Sequence, residues 1–427
     1  MLDIKFIRKN PQKVKEGCQK KQAKVDIDRL LEIDKNLRSY RQEYEKWQAD
    51  LNKLSKSRPD VAIIKKARDL KSKIKKQGNI IAGLIKDFQD LMLQIPNLPL
   101  DDVPVGKDES ENKVLREVGK KPRFSFKPKD YLEIAEKLDL IDVKRATKVS
   151  GTRFGYLKNE AALIEFALIN LAFDTLIKKG FIPVVPPVML KSEMARGMGY
   201  LEQTDEEDAY FLPKDNLYLA GTAEQSVGAM HANEVFEEKE LPRRYVAFSS
   251  CFRREAGTYG KDTKGIFRVH QFDKVEMFSF CHPEKSEKEH QFLLSMEEKL
   301  MQLLKIPYRA VQMCTADLAF PQAAKYDIEA WLPSENRYRE THSTSNCTDF
   351  QARRLNIRFR KPAFAKASAG RQEARNRKQL EFVHTLNGTA FAIGRTLIAI
   401  IENYQQKDGS IKVPKVLEKY LGKSVIK

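Results

Sequence analysis

Apolar residues between positions 28 and 95 recur at every third or fourth place. Leu30, Ile33, Leu37, Tyr40, Tyr44, Trp47, Leu51 and Leu54 step by 3 and 4 in alternation, which is the seam of a heptad helix. After a break at 55–60 centred on Pro59, a second seam runs through Ile63, Ala67, Leu70, Ile74, Gln77, Ile81, Leu84, Phe88, Leu91 and Ile95, with Gln77 its one polar member. Two seams of similar length joined by a short Pro-containing turn predict an antiparallel helical hairpin, on the order of 40–50 Å long at about 1.5 Å per residue.

The pattern changes after position 130. Short apolar or alternating runs bounded by turn residues (FIPVVPPVML, NLYLAGTAE, RYVAFSSCF, VEMFSF, YDIEAWLP) predict strands clustered between 181 and 335, and 391–404 has helical periodicity. Such a mixture predicts an α+β domain built on a mostly antiparallel sheet. The stretch 96–130 is rich in Pro, Gly and charge without apolar periodicity and reads as a linker. The expected organisation is an N-terminal domain at 1–100 carrying the arm at 28–95, a linker at 101–130 and a second domain at 131–427. Residues 361–378, rich in Ala, Lys and Arg, read as a surface loop.

Charge sharpens this picture. The 427 residues hold 77 Lys plus Arg against 59 Asp plus Glu, a formal charge of +18, which favours a polyanionic partner. The excess is concentrated in the distal hairpin, where residues 51–78 hold ten Lys/Arg against Asp60 and Asp69. Lys65, Lys66, Lys71, Lys75 and Lys76 belong to this group, either as a solvated face or as a phosphate-binding arm. The longest apolar stretches are interrupted by charge, at Glu165 and Asp174 and again at Arg395 and Glu402, so no transmembrane helix is expected. No targeting pattern opens the chain, and the cytoplasm is the expected location. Five cysteines without a CxxC pair argue against a zinc site or a disulfide framework.

Neither common phosphate-cradling glycine loop is present, so side chains must hold any phosphate. Residues 251–278 supply them. If Phe252 to Glu255 continue a strand, Arg253 and Glu255 share a face, and Arg268, Phe272 and Glu276 share the matching face of the return strand. Two guanidiniums, a ring and carboxylates suit a nucleotide beside an ammonium-bearing substrate. A surface hairpin with cross-strand ion pairs explains the same residues. Glu340 and Ser343 offer hard oxygen ligands for magnesium, or simply form a polar turn. In 384–405 small residues predict a turn and a helix, with Arg395 interrupting an apolar face; it needs an anion or a structural salt bridge.

Taken in order, GFIPVVPPVML at 180–190, FRRE with RVHQFDKVE, and GTAFAIGRT resemble the three signature motifs of a class II aminoacyl-tRNA synthetase. LAGTAEQ, HQFDKVEMF, TSNCTDFQARR and HTLNG are similar to the pattern of the seryl-tRNA synthetase family, as are MLDIKFIRKNPQKV and the arm behind it. The resemblance covers nearly the whole chain. It implies a six-stranded antiparallel catalytic sheet flanked by helices, a homodimer, and an arm gripping the long variable arm of tRNA(Ser), with tRNA(Sec) as a further candidate.

The resemblance also implies residue roles. Arg253 and Arg395 are the catalytic arginines. ATP would be bound by Arg253, Arg254, Glu255, Arg268, Phe272, Arg395 and the run Glu340, Thr341, His342 and Ser343. Arg253 takes the α-phosphate, Glu255 the adenine amino group, Phe272 the adenine ring, and Arg268 and Arg395 the outer phosphates. L-serine would be held by Thr222, Ala223, Glu224, Arg253, Glu276 and Thr389, and Mg2+ by Glu340 and Ser343. The rival reading, a non-catalytic synthetase-like RNA-binding protein, would be marked by loss of a motif arginine; Arg253, Arg268 and Arg395 are all present. A class I synthetase is excluded because neither HIGH nor KMSKS occurs.

Overall fold

The computed structural model describes residues 1–56, 60–201, 205–256, 264–361 and 380–427. The turn at Pro59 and the 361–378 loop, apart from Lys361, lie outside the described residues. The chain forms two compact units, Met1–Leu98 and Pro99–Lys427.

In the first unit, α1 (Ile4–Lys9) and α2 (Pro11–Lys20) precede two long helices, α3 (Ile27–Leu54) and α4 (Val61–Leu93). Asp26 and Asp60 cap the long helices by accepting from the backbone N–H of Arg29 (2.8 Å) and Ile63 (2.7 Å), as expected where the first N–H groups of a helix lack partners. The two seams meet in antiparallel order. Gln77 donates to the carbonyl of Tyr40 (3.4 Å) and to Glu43 Oε2 (3.2 Å), while Lys73 lies 5.9 Å from the Trp47 ring. The one polar seam position is thus satisfied by the opposite helix. At the base, Ile7, Val14, Cys18, Ile27, Leu30, Met92 and Ile95 form a separate core.

The second unit is built on eight strands: β1 (Lys113–Val118), β2 (Ile182–Val184), β3 (Arg243–Phe252), β4 (Gln271–Cys281), β5 (Tyr308–Gln312), β6 (Ala324–Leu332), β7 (Arg337–Asn346) and β8 (His384–Ala392). Their order is β1-β5-β6-β7-β8-β4-β3-β2. Six antiparallel strands form the middle, as expected, and two more extend the sheet. β2 joins β3 in parallel, and β1 joins β5 antiparallel. β1 arises from the stretch expected to be linker; its backbone finds an open edge there, which composition does not reveal. The turn expected at 384–390 is likewise a strand. Between β4 and β7 it is buried on both faces, so small residues replace the usual apolar alternation.

Helices α5 (Asn159–Ile177), α7 (Ser286–Leu304) and α8 (Ile393–Asn403) cover one sheet face. Leu168, Leu171, Leu293, Leu300, Leu397 and Ile400 pack there on Val275, Met277, Ile328, Leu386 and Ala390. Gly388 admits α7 closely; a Cβ at that position would stand 3.1 Å from Glu297 Oε1. The opposite face is left for chemistry.

Three histidines are caught in this packing. Burial pushes the imidazoles of His290, His342 and His384 down to about 4. Between pH 6.5 and about 4 the unfolded chain therefore holds protons that the folded chain lacks, so stability falls as the pH falls through that window. The urea midpoint of the full chain is expected to drop across it, and His290→Gln is expected to flatten the drop. An unchanged slope in that variant would show that other groups carry the acid sensitivity.

Candidate active site

The open sheet face forms a cleft of about 480 Å³ lined by residues from five of the central strands and the segments beside them. Thr222, Glu224, Arg253, Glu255, Arg268, Phe272, Glu340, Thr341, Ser343, Thr389 and Arg395, all expected from the sequence, line it.

The β3–β4 hairpin positions the first group, by a different route from the one expected. β3 ends at Phe252 and β4 begins at Gln271, so Arg253, Glu255 and Arg268 lie beyond the paired strands and alternation does not orient them. Two contacts close the ends instead: Arg253 N–H donates to the His270 carbonyl (3.0 Å), and His270 Nδ1 stands 3.1 Å from the Arg253 carbonyl. Glu255 takes a left-handed backbone (φ 51°), uncommon for a residue with a Cβ. Its carboxylate accepts from Arg268 Nη1 at 3.1 Å. The Arg253 guanidinium donates to the Gly221 carbonyl (3.2 Å) and lies 5.3 Å from the Phe272 ring centroid.

A β-bulge explains the second group. Residues 340 and 343 are an odd number apart and would face opposite sides of a regular strand. Against β6, however, Ile328 pairs with His342 and Glu329 with Glu340, so Thr341 is the extra residue and both Glu340 and Ser343 reach the cleft. Arg395, at the start of α8, places Nη1 3.1 Å from Glu340 Oε2 and 3.2 Å from the Glu340 carbonyl. Burial works against the Glu340 charge, but Arg395 and Lys325 overcome it and hold the carboxyl down at about 2.

The third group surrounds the N-terminus of α6 (Ala223–Ala229). Thr222 donates to Glu276 Oε2 at 3.1 Å, and Lys274 is ion-paired with the same carboxylate. Glu276 is fully buried beneath the cleft. Burial, with Arg253 nearby, pulls the Lys274 ammonium down to about 8. Glu224 Oε1 accepts from Asn387 Nδ2 (2.7 Å) and Gln351 Nε2 (3.5 Å). Burial raises its carboxyl despite these donors.

Four expected residues do not line the cleft: Glu276, buried beneath it, and three that stand further apart. Arg254 lies 5.7 Å from the Tyr210 ring centroid. Ala223 is buried inside the first turn of α6. His342 is turned to the helical side of the sheet, 5.8 Å from Phe391, because the bulge falls before it. Conversely, Lys274, Lys325, Asn387 and Phe267 line the cleft without having been anticipated. Lys274 and Asn387 sit two places before Glu276 and Thr389, and period two contained that signal. Nothing local marked Lys325 or Phe267.

Oxygen donors at Glu340 and Ser343 suit magnesium, which prefers hard ligands and usually takes only one or two from protein, with phosphate and water completing its shell. Among the described residues no group of three or more His, Cys, Asp or Glu is arranged to hold a metal.

The family model for the seryl-tRNA synthetase N-terminal domain matches residues 1–99, and that for the class II tRNA synthetase core domain (G, H, P, S and T) matches 210–404. The serine–tRNA ligase of Dictyoglomus thermophilum is 44% identical, with 100% of this chain and 99% of the relative aligned. The crystal structure of Pyrococcus horikoshii seryl-tRNA synthetase complexed with ATP superposes with a TM-score of 0.90 at 40% identity, covering 100% of this chain and 99% of that one. The Naegleria fowleri cytoplasmic serine–tRNA ligase in complex with AMP gives 0.88 at 33% identity, with 100% and 99% covered. With both of its units matched and its full length aligned, the chain belongs to the seryl-tRNA synthetase family.

Proposed function

We propose that the chain activates L-serine with ATP to seryl-adenylate and transfers the seryl group to tRNA(Ser), with tRNA(Sec) a second acceptor. The observation that carries this reading is the convergence of Arg253, Glu255, Arg268, Phe272, Glu340, Thr389 and Arg395 on one cleft of a family member. ATP and AMP named with the two solved relatives support the nucleotide.

No side-chain nucleophile is required. ATP carries an activated α-phosphorus; the serine carboxylate attacks it in line, the bond to the bridging α–β oxygen breaks, and pyrophosphate leaves. The two anions repel each other, and Arg253 on the cleft wall offsets that repulsion. Catalysis is then positioning plus charge stabilisation. Glu255 and Phe272 take the adenine, and Arg268 and Arg395 exchange their present carboxylate partners for outer phosphates. Thr222, Glu224, Glu276 and Thr389 form the polar serine pocket. Glu340 and Ser343 would hold Mg2+, which when bound neutralises phosphate charge. The terminal ribose hydroxyl of tRNA then attacks the seryl carbonyl carbon, forming the ester as the anhydride bond breaks, and AMP and a proton leave.

The homodimer is supported by large apolar side chains left exposed on α5 and around β2, including Phe166 (62%), Ile182 (43%) and Val185 (77%). Among the described residues no helix is long and apolar enough to cross a membrane, and we place the protein in the cytoplasm without a membrane partner. On the arm, Lys65, Lys66, Lys71, Lys75 and Lys76 are exposed along α4 and suit tRNA phosphates.

Serine-dependent pyrophosphate exchange tests the reading directly. Serine is expected to be preferred over alanine by about a hundredfold or more, because the pocket's polar groups lose a partner when the hydroxyl is missing. Equal activation of alanine would overturn the serine assignment. Arg253→Ala should lose about 3 kcal/mol of transition-state stabilisation; exchange within tenfold of wild type would remove Arg253 from the chemistry. Replacing the five arm lysines by alanine should weaken tRNA binding and flatten its salt dependence while exchange stays near wild type. A salt titration of tRNA binding beside an exchange assay on the same protein reads both, and an unchanged slope would leave the arm lysines as a solvated face.

A further inference from the structure

Five cationic side chains line the cleft among the described residues: Arg253, Arg268, Lys274, Lys325 and Arg395. Four have places in the chemistry above or pair directly with a carboxylate within it. Lys325 acts on Glu340 only through its field and pairs directly with Asp327, outside the cleft lining.

Lys325 stands on β6, two residues before Asp327, and its Nζ lies 3.1 Å from Asp327 Oδ2. In the register with β7, Lys325 pairs with Ser345 and Asp327 with Ser343. By bending along its own strand to reach Asp327, the ammonium comes to the level of Ser343. There it is within the electrostatic reach of Glu340, the carboxylate that Arg395 also holds. Its side chain is 17% exposed. An ammonium carries three N–H donors, and Asp327 is the one acceptor found for this one among the described residues. Asp327 is itself 5% exposed with no hydrogen-bond partner on Oδ1. A largely desolvated ammonium with donors unmet at the wall of a cleft is costly unless an acceptor arrives with the substrate.

We propose that Lys325 is a substrate-contacting residue that donates to a phosphate oxygen of the ATP triphosphate, beside Arg395 and the Glu340–Ser343 pair. This deepens the reading of the cleft as an ATP site and rests on it. A β- or γ-phosphate fits better than the α-phosphate, because Arg253 already serves the attack site and Lys325 clusters with the groups assigned to the outer phosphates. The competing explanation is that Lys325 does no more than neutralise buried Asp327.

Two variants of the full-length protein separate these roles: Lys325→Met, and Lys325→Met combined with Asp327→Asn, which removes both charges and leaves no unpaired carboxylate. ATP and AMP affinities are measured by calorimetry, and the KM values for ATP and serine by pyrophosphate exchange. Both variants are expected to bind ATP about tenfold more weakly, the scale of one charge-assisted hydrogen bond, and to raise the ATP KM by a similar factor. AMP affinity and the serine KM should stay within about twofold, since neither reports an outer-phosphate contact. Recovery of ATP affinity in the double variant would show that Lys325 serves only Asp327 and would overturn the proposal, as would equal losses for AMP and ATP. A defect confined to tRNA charging would move the contact to a tRNA phosphate and overturn it too. Should Lys325→Met alone not fold, the double variant carries the same test. Wild-type protein that binds no ATP would instead overturn the ATP-site reading itself, whereas normal wild-type binding matched by both variants would remove Lys325 alone.

Discussion

Strand register is the constraint on which the cleft depends. Across β6, β7, β8 and β4, Asp327 pairs with Ser343, Ser345 with Asn387, and Glu276 with Thr389. Alternate residues on the same strands, among them Ile328, Leu386 and Met277, press on α7 and α8. A slip of one residue would drive carboxylates and a lysine into that apolar layer and expose its aliphatic side chains. Burial of one face thus fixes the chemistry of the other. Two bulges then adjust the pattern locally: one brings Glu340 and Ser343 to the same side, and the other resets β4 against β8 between Val275 and Glu276.

The resulting cleft is crowded with charge that largely neutralises itself. Glu255 rests on Arg268, Glu340 on Arg395, and Glu276 on Lys274. An isolated charge in such a place would be costly, and pairing offsets that cost. The arrangement is consistent with a site that binds a polyanion. In the proposed reaction phosphates would replace carboxylates as partners of the arginines, donors that the carboxylates already orient.

The division into two units separates two physical problems. The first unit has its own small core and two exposed helices whose charge suits long-range attraction to a polyanion, an interaction that salt screens. The second unit invests its larger core in holding side chains at fixed distances.

Much of this was legible locally. Heptad spacing identified the arm, and even its polar exception, Gln77, fell where the opposite helix supplies acceptors. Alternating runs marked most of the central strands, and the motif residues that line the cleft were named from the sequence. Periodicity records which face of an element is apolar, and that information is local. It does not record which strands become neighbours. So β1 was hidden in a stretch that looked like linker, and β8, buried on both sides, lacked the alternation that would have marked it. The bulge at Thr341 turned His342 away from the cleft, and the end of β3 at Phe252 handed the placing of Arg253 to contacts with His270. Lys325 became a member of the site only when β6 paired with β7. Those outcomes depend on which backbones pair and in what register, from the short β6–β7 hairpin to strands far apart in the chain, and only the folded sheet decides that.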